Sequence, residues 1–224
     1  MEPSRASMVM RPHIIVNCAM TADGKITSIV RRQVRISSPE DLERVKTLRT
    51  GSDAILVGVG TILADDPHLT VKSLPPEKNP LRIVLDSQGR TPNSAKVLAG
   101  GVPTLIATTK HCAKTWKGAQ ILRCGEGQVD LHCLMDELER RGIQRLMVEG
   151  GGETIGSFFK NDLVDEYRVF VGSLILGGKD APTPCEGQGF LEADAVRLRL
   201  ISITTLGEGA VLCYEVVRNA AQST

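Results

Sequence analysis

The chain has 224 residues, of which 42% are hydrophobic and only 3% aromatic, with a net charge of +1. That balance leaves no electrostatic footprint for nucleic acid or an acidic membrane surface, and no apolar run approaches a membrane span in length. A core so poor in aromatics must rest on Val, Ile and Leu, which suits buried parallel strands.

Residues 1–11 lack the apolar stretch of a signal peptide and are expected to form a loose tail, with residues 12–218 as one domain and 219–224 as a second tail. The first strand is predicted at His13–Ala19, apolar from Ile14 on except for Asn17, and is followed by Met20-Thr-Ala-Asp-Gly-Lys25, where Asp23-Gly24 signals a turn. Ser37-Ser38-Pro39 opens a helix with a serine cap, proline in the first turn and acids at the positive end. Leu42, Val45 and Leu48 are expected to be its inward stripe and Gly51 its stop. A strand at Ala54–Val59 then runs into Gly58-Val-Gly60-Thr61 and a short helix. Thr61 could cap that helix or bond a ligand; Asp65 and Asp66 could order the next loop or read a ribose or amide.

Strands at Arg82–Leu85 and Thr104–Ala107 follow, the first ending in Asp86-Ser87 with Gly89-Arg90 beyond. A helix from Asp130 to Gly142 turns Leu131, Leu134, Met135 and Leu138 inward. Strand Arg145–Val148 leads through Glu149 into Gly150-Gly151-Gly152 and a third helix. Late runs at Tyr167–Leu176 and Val211–Val217, with glycine- and proline-rich turns between them, suggest antiparallel strands finishing the sheet. Strands alternating with helices predict an α/β fold with a mostly parallel sheet. The six cysteines include no C-x-x-C pair, so they read as small core residues of a reducing, cytoplasmic protein, and no metal site is predicted.

The strongest local signal is the strand that ends in three glycines. Glycine allows positive φ and close backbone approach, and the free N–H groups of the next helix turn can face an anion such as a dinucleotide pyrophosphate. The alternative is a tight turn with no ligand. Glu149, at the mouth of an otherwise apolar strand, is costly to bury unless paired or solvated; it is a candidate for substrate binding or proton transfer, or for capping nearby N–H groups. The chain lacks the H-x-E and P-C-x-x-C signature of zinc deaminases and the G-x-S-x-G elbow of hydrolases.

Together, Met20–Lys25, Arg35-Ile-Ser37, Leu48-Arg49, Val57–Thr61, Leu63–Pro67 with Leu69-Thr-Val71, Arg82–Ser87, Val148–Gly152, Leu163–Glu166 and Leu176–Lys179 fall in the order found in the riboflavin-pathway reductases. The sequence resembles the reductase half of the bacterial bifunctional deaminase/reductase and, more closely, the stand-alone archaeal and fungal diaminohydroxyphosphoribosylaminopyrimidine reductases. Asn17 and Arg35 stand where the bacterial enzymes carry lysine and tryptophan, which points to the archaeal and fungal branch, and Lys72 replaces an arginine, keeping a cation without the bidentate fork.

The resemblance implies a single-domain dihydrofolate-reductase-like fold, a homodimer, and NADPH as hydride donor, with NADH as the alternative. The implied substrate is 2,5-diamino-6-ribosylamino-4(3H)-pyrimidinone 5′-phosphate, whose ribose becomes ribityl. It also implies cofactor contacts from Thr61, Asp65, Ser87, Val129, Gly151, Gly152, Glu153 and Thr154, and substrate contacts from Arg49, Leu69, Lys72 and Glu149. Glu149 and Asn17 are the expected catalytic pair, and Arg49 the expected phosphate clamp. Two other readings compete: the same reduction on the deaminated pyrimidine, and a non-catalytic nucleotide-binding protein.

Overall fold

The structure, a computed structural model, describes residues 11–218. The expected tails at 1–11 and 219–224 lie outside those residues, apart from Arg11, whose guanidinium donates to both oxygens of Asp165 at 2.9 and 2.8 Å.

The elements run β1 (His13–Thr21), α1 (Pro39–Thr50), β2 (Ala54–Gly58), α2 (Val59–Asp65), β3 (Leu81–Leu85), β4 (Thr104–Thr108), β5 (Gln120–Arg123), α3 (Leu131–Arg140), β6 (Arg145–Gly150), α4 (Gly152–Lys160), β7 (Glu166–Gly172), β8 (Arg197–Leu206) and β9 (Gly209–Val217). All nine strands join one sheet in the order β5-β4-β3-β2-β6-β1-β7-β9-β8. Pairing is parallel from β5 through β7 and antiparallel for β7–β9 and β9–β8. This is the expected α/β architecture, with a parallel centre and an antiparallel C-terminal end.

Side chains alternate across the strands, so the sheet has two apolar faces. On one, Ile14, Val16, Leu56, Leu146 and Val148 pack with Leu134 and Leu138 of α3 and Ile155 and Phe158 of α4. On the other, Ile55, Val57, Val84 and Ile106 pack with Val59 and Ile62 of α2, and with Leu69 and Trp116. Caps fix the helix starts: Ser38 Oγ accepts from Asp41 N at 3.2 Å, and Asp130 Oδ1 accepts from His132 N and Cys133 N at 2.9 and 3.1 Å.

Helix α1 departs from its predicted stripe. Leu42 is 50% exposed, and the residue buried in its place is Asp41. A carboxylate can lie there because Arg44, one turn on, donates to Asp41 Oδ1 at 2.8 Å and the helix N-terminus favours negative charge. Two strands were not predicted. β5 has only four residues and is half-exposed, and β8 is exposed along nearly its whole length although Arg197-Leu-Arg-Leu200 alternates as a strand does. Conversely, the run to Leu176 leaves the sheet at Gly172. No helix of the described residues is long and apolar enough to cross a membrane.

Candidate active site

Parallel strands present their carboxyl ends to one edge of the sheet, where open α/β sheets bind ligands. Here the turns after β3, β2 and β6 lie side by side and carry Ser87, Thr61 and Gly150-Gly151.

The three glycines after β6 do different work. Gly150 and Gly151 take φ of +151° and +78°, and a Cβ on either would meet little but the hydroxyls of Thr61 and Thr154, at 3.5 to 3.8 Å. Room for a Cβ therefore lies beside both, although Gly150 is itself buried and Gly151 only partly exposed. Gly152 instead packs against another loop: its Cβ would lie 2.5 Å from the Thr183 carbonyl oxygen and 2.8 Å from Glu186 Oε2. The motif therefore divides, with space beside the first two glycines and the third making room for residues 183–186. Gly151 caps α4 with no side-chain hydrogen bond, which leaves its first-turn N–H groups available to an anion. Glu153 is exposed on that turn, and Asp65 is exposed at the end of α2.

On the neighbouring strand Gly58 is also fixed by approach. A Cβ there would fall inside the van der Waals surface of Thr154 Oγ1, so the bare Gly58 lets α4 dock beside β2. Ser87 is held from both sides: its Oγ accepts from Val129 N at 3.2 Å and its carbonyl from Thr109 Oγ1 at 2.9 Å. The turn behind it is organised by Asp86. This fully buried carboxylate accepts from Arg90 N at 2.8 Å, Thr91 N at 2.6 Å and Thr91 Oγ1 at 2.7 Å. Lys114 adds bonds to the carbonyls of Gly89 and Thr91 at 2.9 and 2.6 Å, its ammonium 5.1 Å from the centre of the Trp116 ring. Lys114 escaped the sequence reading because nothing local marks a loop lysine as the brace of a turn some 25 residues away. Asp66, by contrast, orders the following region, its Oδ1 accepting from Lys96 N at 2.8 Å.

Glu149 and Arg49 come together. Arg49 Nε donates to Glu149 Oε1 at 2.6 Å and Nη2 to Oε2 at 2.5 Å, a bidentate pair with side chains 24% and 10% exposed. Burial pulls the guanidinium down, but the charge and hydrogen bonds of Glu149 outweigh it and hold Arg49 above its ordinary value. The fork expected to grip a phosphate therefore faces Glu149, while Nη1 makes no hydrogen bond among the described residues.

The register explains how Glu149 is aimed. Leu56 pairs with Val148 and Val57 with Gly150, so Glu149 is the extra residue of a bulge in β6. Bulges re-aim side chains and gather beside active sites. Asn17 lies one residue beyond the last β1–β6 pairing, Val16 with Val148. It is 5% exposed, and its Oδ1 is buried without a hydrogen-bond partner among the described residues. A buried orphan acceptor costs about 1–3 kcal/mol, and a ligand donor would relieve it. Leu69 is buried at φ +51°, a strained conformation for leucine. Lys72 is exposed, with no side-chain partner among the described residues.

Residues 12–212 match the model of the RibD C-terminal domain family. Over 214 residues the chain is 44% identical to an Archaeoglobus fulgidus protein named 2,5-diamino-6-ribosylamino-4(3H)-pyrimidinone 5′-phosphate reductase, covering 89% of this chain and 96% of that one. A protein of the same name from Methanothermobacter thermautotrophicus is 45% identical over 215 residues, covering 92% and 99%. A Thermotoga maritima deaminase/reductase crystal structure superposes with a TM-score of 0.81 at 21% identity, over 92% of this chain and 57% of that one, which speaks for the fold alone.

Proposed function

The chain belongs to the RibD C-terminal domain family, and on that premise we propose that it reduces the ribosylamino group of 2,5-diamino-6-ribosylamino-4(3H)-pyrimidinone 5′-phosphate in riboflavin biosynthesis. The relatives matched across nearly their full length bear that activity in their names. The observation in the fold that carries the reading is the orphaned Asn17 acceptor on β1, adjacent in the sheet to β6, whose Glu149 pairs with Arg49 of α1 and is followed by the Gly150-Gly151 turn.

The residues present fit a nicotinamide dinucleotide, and when bound it supplies the hydride. The Gly151–Thr154 turn would hold its pyrophosphate, with the Thr61 and Thr154 hydroxyls beside it. Ser87, Val129, Asp65 and Glu153 would line the rest of its path. We favour NADPH over NADH because the exposed side chains of Arg90 and Lys110 lie on the turns next to Ser87 and Val129. Lys110 is pinned by Glu126 at 2.9 Å, which leaves Arg90 the better cation for a 2′-phosphate.

On the substrate side, Arg49 Nη1 and Lys72 offer donors to the 5′-phosphate, and Leu69, its side chain buried in the core, offers only its backbone. Each Glu149 oxygen accepts one Arg49 N–H and keeps a second lone pair for ribose hydroxyls. The overall change is a two-electron reduction: the C1′–ring oxygen bond breaks, C1′ gains a hydride, and one proton restores charge balance. Asn17 Oδ1 accepts from the substrate beside that carbon and orients it, which is positioning work. Glu149 assists the proton's transfer to the ring oxygen.

Exposed Leu198, Leu200, Ile201 and Ile203 on the edge strand β8 support a homodimer built on that end of the sheet, and the cysteine usage supports a cytoplasmic location. The test is nicotinamide oxidation with the diaminopyrimidine as substrate, run with NADPH and NADH and repeated with the deaminated pyrimidine. Turnover of the deaminated compound alone would replace the substrate assignment, and cofactor binding without turnover of either would remove the enzymatic one.

A further inference from the structure

Arg82, the second residue of β3, is fully buried, and no carboxylate lies within ion-pair distance of it among the described residues. A buried, uncompensated guanidinium is costly, and burial pushes this one down to about 10. An apolar side chain would fill the same space without that cost, so its presence points to what its N–H groups hold. Nε donates to Thr104 Oγ1 at 2.9 Å, Nη2 to the carbonyls of Ala99 and Val102 at 3.0 and 2.7 Å, and Nη1 to the His68 carbonyl at 3.2 Å.

His68 immediately precedes Leu69, the buried leucine at φ +51°. Such a conformation persists only where its surroundings over-determine it. The second anchor lies on the far side. Asn79 Oδ1 accepts from Val71 N at 2.7 Å, and Asn79 Nδ2 donates to the carbonyls of Leu74 and Pro75 at 3.1 and 3.0 Å. Leu69 thus sits between two side chains that lie outside the loop and grip its backbone, and Lys72 lies within the stretch that Asn79 ties down.

We propose that Arg82 and Asn79 are positioning residues for the reduction, holding the loop from His68 to Pro75 in the strained form that presents the Leu69 backbone and Lys72 to the sugar phosphate. The inference rests on the substrate assignment above. Neither residue touches substrate or dinucleotide, so their removal should separate the two binding events.

The experiment compares Arg82→Lys and Asn79→Ala with wild type in steady-state kinetics, dinucleotide titration by fluorescence, and hydrogen exchange. Each variant is expected to raise KM for the phosphorylated pyrimidine about tenfold, lower kcat less, and leave the dinucleotide Kd within about twofold, with faster exchange at the Val71 amide. Asn79 is half-exposed, so Asn79→Ala carries the test if Arg82→Lys does not fold. An unchanged KM in a folded variant overturns the proposal. So does a parallel rise of KM and dinucleotide Kd, which would mark general loosening of the sheet. A wild type inactive on the pyrimidine would defeat the substrate assignment instead. The loop's restraint would then be judged by exchange alone, protected Val71 in wild type against fast exchange in both variants sustaining it and equal exchange refuting it.

Discussion

Replacing Gly58 with alanine should disable the dinucleotide site without unfolding the protein. Gly58 has φ −77° and ψ 157°, a backbone any residue adopts, so the substitution introduces no strain of its own. The new methyl would collide with Thr154 Oγ1, whereas Thr154 Cβ lies 3.5 Å and the Gly150 carbonyl oxygen 3.8 Å away, both ordinary contacts. Only the hydroxyl has to move. Rotating Thr154 about χ1 costs about 0.5–1.5 kcal/mol if it ends off its preferred well, so a melt should fall by only a few degrees.

The larger effect is on binding. Turned away, the Thr154 hydroxyl no longer reaches the space beside Gly151, and a hydrogen bond to a charged group is worth about 1.5–3 kcal/mol. The dinucleotide Kd should therefore rise roughly ten- to hundredfold, as read by quenching of Trp116 or by nicotinamide fluorescence. Thr154→Ala should do the same by deletion. Once the hydroxyl is gone the methyl at 58 meets nothing it must displace, so Gly58→Ala/Thr154→Ala should bind no worse than Thr154→Ala alone. Wild-type affinity in Gly58→Ala, or a double variant whose losses add, would refute the assignment of Thr154 to the dinucleotide.

Glu149→Gln keeps the shape of the bulge residue but weakens its grip on Arg49. It should cut kcat/KM about a hundredfold with the dinucleotide Kd unchanged, and equal turnover would remove Glu149 from the reaction. Arg49→Ala should raise KM for the phosphorylated substrate, and an unchanged KM would mean that Nη1 does not face the phosphate. Asp165 is 14% exposed. Burial raises its carboxyl, but bonds from Arg11, the Ile14 N–H and Arg218 outweigh that and hold it below the ordinary carboxylate value. A depressed folded value stabilises above the unfolded-state value and is lost as pH falls through the folded one. Asp165→Asn should thus lower stability by about 1–3 kcal/mol at pH 7, with the gap to wild type closing in chemical melts as pH falls below the ordinary carboxylate range; a pH-independent gap would contradict the ion-pair origin. Ile201→Glu with Ile203→Glu should yield a monomer by light scattering, and a retained dimer would move the interface off β8.

The central sheet was legible because its strands are buried on both faces and read as continuous aliphatic runs. Leu146-Met147-Val148 and Ile55-Leu56-Val57 have no other structural use. The exposed strand β8 escaped because its alternation, Arg197-Leu-Arg-Leu200, changes phase after four residues, at the register shift between Leu200 and Ser202. The inward stripe on α1 failed because periodicity counts apolar residues, and this helix buries a carboxylate neutralised by a partner one turn away. At the site, the glycine turn and Glu149 were visible as local anomalies. The Arg49–Glu149 pair was not, since it joins residues 100 positions apart, and neither was the division of the glycines into two with space beside them and one that makes room for a loop.

Three irregularities carry the site. β6 bulges at Glu149, β1 buries an unpartnered Asn17 oxygen, and the loop after α2 holds Leu69 at positive φ. Each lowers stability, and none is required by the sheet, whose neighbouring strands run without such faults on the β3–β4 and β4–β5 sides. A chain selected for folding alone would lose them, because a regular β6, an apolar residue at 17 and glycine at 69 would each relieve a cost. Comparable irregularities do occur elsewhere, in the β8–β9 register shift and the unpartnered buried atoms of Asp41, Arg44 and Glu139, and what marks these three is their grouping. Two of the three fall on the adjacent strands β1 and β6, and the third lies in the loop that links β2 to β3 through α2. That placement follows if the costs are offset when a sugar phosphate supplies the donors and contacts the free protein lacks.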